Sequence, residues 1–265
     1  MKYLNKNNSF FLWSKRFSKA IFLSGEILIH LKKNKIYKIN LIEQLNKVGI
    51  QSLSICLITA CFVGMVFTIQ VAKEFIYFEA TSALGGVLSL ALSRELSPVL
   101  TSVIIAGRIG SAFTAEIATM QVTEQIDALY ILKTNPLDYL VIPRILACAS
   151  MLPILSLLSF LTGLASSLLV SALFYNINPN IFINSSQYAL TLWDILSGLI
   201  KSIVFGILIA LISCSWGLTT KGGAKNVGES TTMAVVTSLL FIFTVDFLLS
   251  YLMYNNVGSA MSRIL

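Results

Sequence analysis

Charged residues are scarce in this sequence: they make up 12% of its 265 residues, whereas a soluble globular domain carries roughly 25%. Hydrophobic residues make up 56%, and the mean hydropathy is +0.81. So few charges exclude a soluble globular domain and predict a protein whose solvent is lipid. The net charge of +7 does not indicate nucleic-acid binding, because ten of the nineteen Lys and Arg residues lie within the first 47 residues, before the first long apolar stretch.

Metal ligands and paired cysteines are also scarce. The single histidine, His30, cannot form a metal site alone, and the cysteines contain no C-x-x-C pair. Each cysteine falls in an apolar stretch, which predicts small buried residues. We therefore expect no metal and no cofactor bound by this chain. The four cysteines are Cys56, Cys61, Cys148 and Cys214.

The motifs of common membrane enzymes are missing. The sequence contains neither a G-x-S-x-G nor an H-E-x-x-H string. The nearest match to a phosphate-binding loop is GAKNVGES, from Gly223 to Ser230, in which Glu229 replaces the lysine. A carboxylate there would repel a phosphate, so we interpret these residues as a flexible loop. The sequence predicts no catalytic residues and no ATPase site in this chain.

Long apolar stretches are what the sequence has in abundance. Five of them reach the roughly 20 residues that a helix needs to cross a bilayer. Basic residues number ten before the first stretch and then one, three, none and two in the successive loops, which predicts an inner N-terminus and an outer C-terminus. The fold class is therefore an all-α polytopic membrane protein. Its five predicted spans are Ile50–Val71, Leu84–Ala106, Ile145–Phe174, Leu192–Trp216 and Thr232–Tyr254.

The first 49 residues form a basic N-terminal segment that differs from the rest. Ala20–Leu31 and Ile36–Val48 mix apolar with charged residues and are too short to span. Such segments are typical of helices that lie in the membrane interface. A loosely structured basic tail is the alternative.

Small residues recur at every fourth position in three of the spans. Small ridges let helix backbones approach closely in lipid, so the pattern predicts a compact bundle and leaves a dimer open. The ridges are Ser52, Cys56, Ala60 and Gly64 in span one, Gly85, Ser89, Ser93 and Ser97 in span two, and Ser159, Gly163, Ser167 and Ser171 in span three.

We single out four ionisable residues inside the spans: Arg94, Glu95, Lys201 and Asp246. They lie about eight to eleven residues from the outer ends of their spans, which places them all roughly 12–16 Å deep. We predict one layer near the bilayer midplane whose charges sum to zero. Two compatible interpretations stay open: a structural ion-pair network, for example Lys201 with Asp246, and a polar cavity lining for a charged lipid headgroup. Pro98 is expected to kink span two at this level.

The inner loop between spans two and three contains a predicted amphipathic helix, Gln125–Lys133. Thr123 is expected to cap it, Asp127 suits its first turn, and Asn135-Pro136 is expected to end it. A separate energy-supplying domain could bind to this helix, or the helix could pack against the helices of its own chain. Its apolar face consists of Ile126, Leu129 and Tyr130.

A family resemblance is carried most strongly by Arg94 to Ala147, which reads RELSPVLTSVIIAGRIGSAFTAEIATMQVTEQIDALYILKTNPLDYLVIPRILA. This run closely resembles the MlaE/YrbE permease family, and residues 50–265 are then its permease domain. The chain is similar to the versions encoded in red algal plastid genomes and to the lipid permease of the plant chloroplast inner envelope. The resemblance implies a plastid membrane, the inner envelope, or a bacterial inner membrane for a bacterial source. Further matching strings are IKSIVFG at Ile200–Gly206, GGAKNVGESTT at Gly222–Thr232 and VDFLLSYLM at Val245–Met253.

The resemblance implies the permease subunit of an ABC transporter that moves phospholipid or a related polar lipid between membranes. Such a transporter has two permease copies, separate ATPase subunits that use the ATP, and a substrate-binding protein with an MCE domain. Two alternatives stay open: a non-transporting scaffold for an MCE-domain partner, and an ion-coupled secondary transporter that titrates Glu95 or Asp246. The lack of an internal repeat counts against the latter.

The resemblance also assigns residues. Arg94, Glu95, Lys201 and Asp246 match charged positions of the family, and they are the candidates for a lipid-binding cavity. Gln70 and Phe78 are weaker candidates for its outer mouth. The family's coupling helix, which contacts the ATPase, maps to Glu124–Leu132 and includes Glu124, Gln125, Asp127, Leu129 and Tyr130.

Overall fold

The computed structural model describes residues 38–255, and every regular element in that range is helical. Short turns of tighter or wider helix join some of the α-helices: a 3₁₀ turn at Thr81–Ala83 and π turns at Leu92–Leu96, Ala106–Gly110 and Leu137–Val141. The α-helices are α1 (Lys38–Val48), α2 (Ile50–Tyr77), α3 (Leu84–Ala91), α4 (Ser97–Ile105), α5 (Ser111–Val122), α6 (Gln125–Ile131), α7 (Ile142–Tyr175), α8 (Pro179–Ala189), α9 (Leu192–Leu218) and α10 (Ala224–Tyr254).

Five helical runs in the described chain are long and apolar enough to cross a membrane. Each contains one predicted span, so the prediction of an all-α polytopic membrane protein with five transmembrane helices is confirmed. The runs are longer than the predicted spans, because polar residues at their ends also form helix. They are Ile39–Tyr77, Thr81–Val122, Leu137–Tyr175, Leu192–Leu218 and Ala224–Tyr254.

The predicted flexible loop at GAKNVGES is wrong, because α10 already begins at Ala224. Gly222 has a φ of +102°, a left-handed conformation that glycine adopts without steric cost. The Asn226 side chain donates a hydrogen bond to the Lys221 carbonyl at 2.7 Å. These two features close the turn that starts the helix, and hydropathy alone does not report them.

Helix α8 occupies the third loop and was not predicted. Asn178 caps it by accepting a hydrogen bond from the Asn180 N–H at 3.0 Å, and Pro179 takes the first helical position. This combination of cap and proline is a helix-start signal that the sequence does contain. The helix packs against α3, where a Cβ on Gly85 would lie 2.2 Å from the Phe182 carbonyl oxygen.

The N-terminal segment is described only from its second predicted helix onward. That helix is observed as α1, and Gly49 alone separates it from α2. Ile39 and Ile42 are exposed on it, so its position in a membrane interface stays a prediction. The other predicted helix, Ala20–Leu31, and His30 within it lie outside the described residues.

The chain divides into two compact units. The described part of the first unit comprises residues 38–48, Ile105–Cys148 and Gly206–Phe241, and its core includes Ile212 and Trp216. Within this unit Glu116 binds two cations: Arg144 Nη2 lies 2.6 Å from Oε2, and Lys47 Nζ lies 3.3 Å from Oε1. Lys47 also pairs with Glu43 at 3.3 Å.

The second unit comprises Gly49–Ile104, Ala149–Phe205 and the described residues from Ile242 to 255. One of its apolar clusters includes Ala72, Leu84 and Phe182. The small-residue ridges pack here as predicted. A Cβ on Gly64 of α2 would lie 2.4 Å from the Gly163 carbonyl oxygen of α7, and the Ser167 hydroxyl donates to the Gly64 carbonyl at 3.2 Å.

All twelve ridge residues are buried except Ala60, which is half-buried. The compact packing is therefore confirmed, and the dimer stays a prediction. The cysteines are free thiols, and Cys56, Cys148 and Cys214 are buried as predicted, whereas Cys61 is half-buried.

Candidate functional site

Three of the four predicted midplane charges meet at a single ion-pair centre in the second unit. Lys201 Nζ lies 2.9 Å from Glu95 Oε2 and 2.9 Å from Asp246 Oδ1. Lys201 comes from α9 and Asp246 from α10, while Glu95 comes from the π turn Leu92–Leu96. The Lys201 side chain is fully buried. The ion pair of Lys201 with Asp246 is therefore present as the structural interpretation expected.

The Lys201 ammonium group faces more acceptors than it has protons. Its three N–H groups donate to Glu95 Oε2 at 2.9 Å, to the Ser250 hydroxyl at 2.7 Å and to the Arg94 carbonyl at 3.1 Å. Ser250 in turn donates to Glu95 Oε1 at 3.0 Å. Asp246 Oδ1 is thus charge-compensated by proximity, but it accepts no hydrogen bond.

The Arg94 carbonyl is available to Lys201 because of Pro98. In an α-helix the carbonyl of residue 94 would accept from the N–H of residue 98, and proline has none. The helix forms a π turn at Leu92–Leu96, which ends two residues before this proline. Such turns are frequent at functional sites. The predicted disturbance of span two at Pro98 therefore takes the form of a π turn, and it supplies a main-chain ligand to the buried lysine.

The Arg94 guanidinium points to a different carboxylate. Its Nη2 and Nε lie 2.7 Å and 2.8 Å from Asp194 Oδ1, and Asp194 is buried. The guanidinium carbon also lies 4.5 Å from the centre of the Tyr254 ring, a cation–π distance. Arg94 and Glu95 thus bind separate partners.

Asp194 was missed by the sequence analysis, although it lies two residues inside predicted span four. Its Oδ2 accepts from the Thr191 N–H at 2.9 Å and from the Thr191 hydroxyl at 2.7 Å. Thr191 and Asp194 form a capping-box arrangement at the start of α9. The spacing T-x-x-D at the head of an apolar run was the signal that could have found it.

Two hydroxyl groups complete this end of the network. Ser197 donates to the Asp194 carbonyl at 2.8 Å, and the Tyr254 hydroxyl shares a hydrogen bond with Ser197. Tyr254 is the last residue of α10. Neither residue was singled out from the sequence, since Ser and Tyr are common in membrane helices.

The network has a surplus of negative charge. The four predicted charges sum to zero, but Asp194 adds a third carboxylate opposite Arg94 and Lys201, so the network carries one net negative charge when every group is ionised. The side chain of Glu95 is 43% exposed, against 0% for Lys201 and 20% for Arg94. The accessible part of the network is therefore a carboxylate, while both cations are engaged inside.

A cavity of about 230 Å³ lies on another side of the same π turn, between α2, α4 and α7. Its walls include Ala60 of α2, Leu92 and Leu96 of the turn, Leu100 and Thr101 of α4, and Ser159 of α7. None of its lining residues is charged. The turn thus presents leucines to the cavity and charges to the network. A headgroup cavity lined by the network stays a prediction.

Gln70 and Phe78 lie outside both features within the described chain. Gln70 is exposed on α2. Phe78 follows α2 and is 70% exposed, with its ring 5.4 Å from that of Tyr77 in an edge-to-face arrangement. Their assignment to the outer mouth of a lipid cavity stays a prediction.

The predicted inner-loop helix is observed as α6, Gln125–Ile131, but its cap is not Thr123. The Thr123 hydroxyl donates back to the Thr119 carbonyl at 2.9 Å, so it belongs to the end of α5. The residue before α6 is Glu124, in a left-handed conformation with a φ of +60°. Because the Thr123 hydroxyl is bonded within α5, it does not cap α6.

Helix α6 also ends earlier than Asn135-Pro136. Lys133 has a φ of +56° and donates its N–H to the Tyr130 carbonyl at 3.0 Å, while Thr134 donates to the Leu129 carbonyl at 3.0 Å. This pair of bonds is a Schellman motif. Asn135 instead caps the following turn by accepting from the Leu137 N–H at 3.0 Å.

The apolar face of α6 is divided. Ile126 is buried and anchors the helix to its own unit, whereas Leu129 is half-buried. Tyr130, Ile131 and Leu132 are 61%, 83% and 72% exposed. The sequence analysis missed Ile131 and Leu132, which with Tyr130 form an exposed apolar end.

Comparison with known proteins places this architecture in a family. Residues 41–252 match the family described as Permease MlaE. The chain belongs to the MlaE permease family. A probable ABC transporter permease protein of Synechocystis is 60% identical over 251 residues, which cover 95% of both chains. The probable ABC transporter permease protein ycf63 of Pyropia yezoensis is 55% identical over 251 residues, again 95% of both chains.

A third relative comes from a plant. The chloroplastic protein TRIGALACTOSYLDIACYLGLYCEROL 1 of Arabidopsis thaliana is 51% identical over 241 residues, which cover 91% of this chain and 69% of the plant protein. The chain is thus an ABC transporter permease of the MlaE family and an integral membrane protein. The three relatives named here are cyanobacterial, plastid-encoded and chloroplastic.

Proposed function

We propose that this MlaE-family permease is the membrane subunit through which an ABC transporter moves phospholipid or a related polar lipid between membranes. The observation that carries the proposal is the buried network of Lys201 with Glu95 and Asp246 in an apolar helical unit. Ionisable groups at membrane depth are costly and mark functional paths or structural pairs. The name of the Arabidopsis relative refers to a glycerolipid, which supports a lipid substrate.

In this proposal the chain works with three kinds of partner. A separate ATPase subunit binds and hydrolyses ATP, so this chain needs neither a nucleotide site nor a cofactor. A second copy of the permease packs against the first and fifth spans. In the most apolar 18 residues of these two spans only 22% of the residues are buried, against 50% in the second and fourth spans. A substrate-binding protein with an MCE domain exchanges lipid with the pair.

Helix α6 is the proposed connection to the ATPase. Its left-handed start at Glu124 and its Schellman end fix a short, rigid helix, and its apolar end at Tyr130–Leu132 is exposed. Closure of the ATPase subunits on ATP would push this helix and narrow the lipid cavity between the two permease copies. The membrane is that of a plastid, the inner envelope, by analogy with the chloroplastic and plastid-encoded relatives.

The network suggests what a headgroup would meet. The positive charges of Lys201 and Arg94 are paired with carboxylates inside the network. The lipid would therefore first contact the exposed side of Glu95. The network can therefore hold the helices together through its buried ion pairs and still contact a lipid headgroup through the exposed atoms of Glu95.

The test is reconstitution of the permease with its ATPase and MCE-domain partners in lipid vesicles. We expect added phospholipid to stimulate ATP hydrolysis. The double variant Glu124→Lys with Asp127→Lys should reduce this stimulated rate at least about tenfold, because reversed charges at a docking surface cost several kcal/mol. The reduction should occur without loss of lipid binding to the permease.

The matched control is Glu74→Lys with Glu79→Lys. It makes the same charge change on the other predicted side of the membrane, and Glu79 shares the left-handed backbone of Glu124. Hydrolysis that ignores lipid and tolerates both double variants equally would contradict the proposal. Lipid transfer driven by a proton gradient without ATP would instead indicate a secondary transporter, and a complex that binds no lipid would indicate a scaffold.

A further inference from the structure

The cavity between α2, α4 and α7 has the size and chemistry of a site for an apolar chain. At the roughly 30 Å³ that a water-sized group occupies in a liquid, its volume of about 230 Å³ holds about eight such groups. Its walls carry leucine, valine, isoleucine and alanine side chains and no charge. Apolar cavities of this kind stay dry and take up apolar ligands.

One wall residue has an unused polar atom. Ser159 is 1% exposed, and its hydroxyl has no hydrogen-bond partner. The two threonines of the same cavity differ: Thr101 donates to the Ser97 carbonyl at 2.7 Å, and Thr59 donates to the Ile55 carbonyl at 2.7 Å. A buried hydroxyl without a partner is unfavourable, so Ser159 is poised for an acceptor that enters the cavity.

A water molecule fits this position poorly. An ordered buried water needs two to four polar partners, and besides Ser159 the lining offers only the Ser97, Thr59 and Thr101 hydroxyls. The two threonines already donate their protons to helix carbonyls, so they could only accept. A ligand that brings one acceptor on an otherwise apolar body satisfies the site better.

We propose that this cavity binds one acyl chain of a glycerolipid, with Ser159 donating a hydrogen bond to its ester carbonyl. The inference rests on the proposed lipid-transport function and locates the acyl part of the substrate. Half-buried residues such as Leu96, Leu100 and Ile104 form the rim, so the cavity opens at the side of the second unit. The charged network, on another side of the π turn, is left to the headgroup.

The test uses the full chain with its ATPase and MCE-domain partners in vesicles of phosphatidylcholine. The probe is phosphatidylcholine with a diazirine in its sn-2 acyl chain, crosslinked by light and mapped by mass spectrometry. We expect crosslinks on the peptides that contain Ala60, Leu100 and Ser159. A parallel arm with diazirine-labelled palmitic acid distinguishes a glycerolipid chain from a free fatty acid, and we expect weaker labelling there.

Two variants narrow the cavity from different helices: Ala60→Phe and Leu100→Phe. Each should reduce cavity crosslinking at least fivefold. The control for added bulk is Leu161→Phe, which lies on α7 outside the cavity, is half exposed, and should leave crosslinking within twofold. Because two helices are varied independently, failure of one variant to fold leaves the other informative.

The hydroxyl is tested by a matched pair. Ser159→Ala removes the unpaired hydroxyl and should lower crosslinking about threefold to tenfold, the worth of one hydrogen bond. Thr101→Val removes a hydroxyl that is already bonded to the helix, so crosslinking should stay within twofold. Ser159→Thr, which keeps a donor, should retain more crosslinking than Ser159→Ala.

Each outcome has a separate meaning. Crosslinks that persist in both cavity-filling variants, or that never map to this cavity, overturn the acyl site. If lipid transfer by the unmodified complex continues in that case, the proposed function stands without this site. Stronger labelling by the fatty acid than by the glycerolipid overturns the ester assignment. Absence of ATP-dependent lipid transfer in the unmodified complex overturns the proposed function itself.

Discussion

At the scale of single residues, Lys201 determines whether the buried charges are tolerable. A lysine in an apolar helical unit is costly unless its charge is compensated and its protons are bonded. Here two carboxylates, a serine hydroxyl and a main-chain carbonyl surround one ammonium group. Removal of the cation would leave Glu95 and Asp246 as uncompensated like charges.

We therefore expect Lys201→Met to destabilise the folded protein by about 3 kcal/mol, in the range measured for loss of one partner from a buried ion pair. The measurement is an unfolding titration in detergent micelles. The triple variant that adds Glu95→Gln and Asp246→Asn should recover most of the loss, because the orphaned charges are gone.

The matched control for this prediction is Lys47→Met. Lys47 also touches two carboxylates, but at 3.3 Å and with a side chain that is 32% exposed. Such a pair is worth at most about 1 kcal/mol. Equal losses for the two lysine variants would show that burial of the network does not control its energetics.

The sequence predicted those charged residues whose depth in the membrane follows from their position within a span. Counting from the span ends found Arg94, Glu95, Lys201 and Asp246. It did not find Asp194, which lies near the outer end of span four and enters the network through the cap that it forms with Thr191 at the start of α9. The pairing also depended on the missing N–H of Pro98 and on the π turn, which are properties of backbone geometry that hydropathy does not carry.

At the scale of helices, the close contact between α2 and α7 rests on glycine. The spacing of small residues predicted this contact because backbone approach in lipid needs a face without bulk. The ends of helices were predicted less well. Caps and left-handed residues such as Lys133 and Asn178 set those ends locally, so polar segments assigned to loops at α8 and α10 are helical.

We expect Gly64→Ala to destabilise the bundle by about 2 kcal/mol, since the added Cβ would lie 2.4 Å from a carbonyl oxygen of α7. Gly107→Ala is the control, because nothing lies within 4 Å of its Cβ position. There the higher helix propensity of alanine should be neutral or stabilise by up to about 1 kcal/mol. Detergent unfolding of both variants checks the difference, and equal effects would contradict the tight crossing.

At the scale of the whole molecule, the sequence predicts how the chain crosses the membrane. Five spans put the two termini on opposite sides. The loop with no basic residue contains α8, whereas Lys221 lies just before α10 and Lys225 in its first turn. Because basic loops stay inside, α8 should face the outer compartment and the start of α10 the inner one.

Single added cysteines report this orientation. Asn180→Cys on α8 and Gly223→Cys before α10 both place a thiol at an exposed position. The four native cysteines lie within the membrane-spanning runs and are buried or half-buried, so a membrane-impermeant maleimide should leave the unmodified chain unlabelled. In sealed, right-side-out vesicles we expect labelling of Asn180→Cys at once and of Gly223→Cys only after permeabilisation. The reverse order would place α6 on the outer side, out of reach of an inner ATPase, and the coupling proposed for that helix would then be untenable.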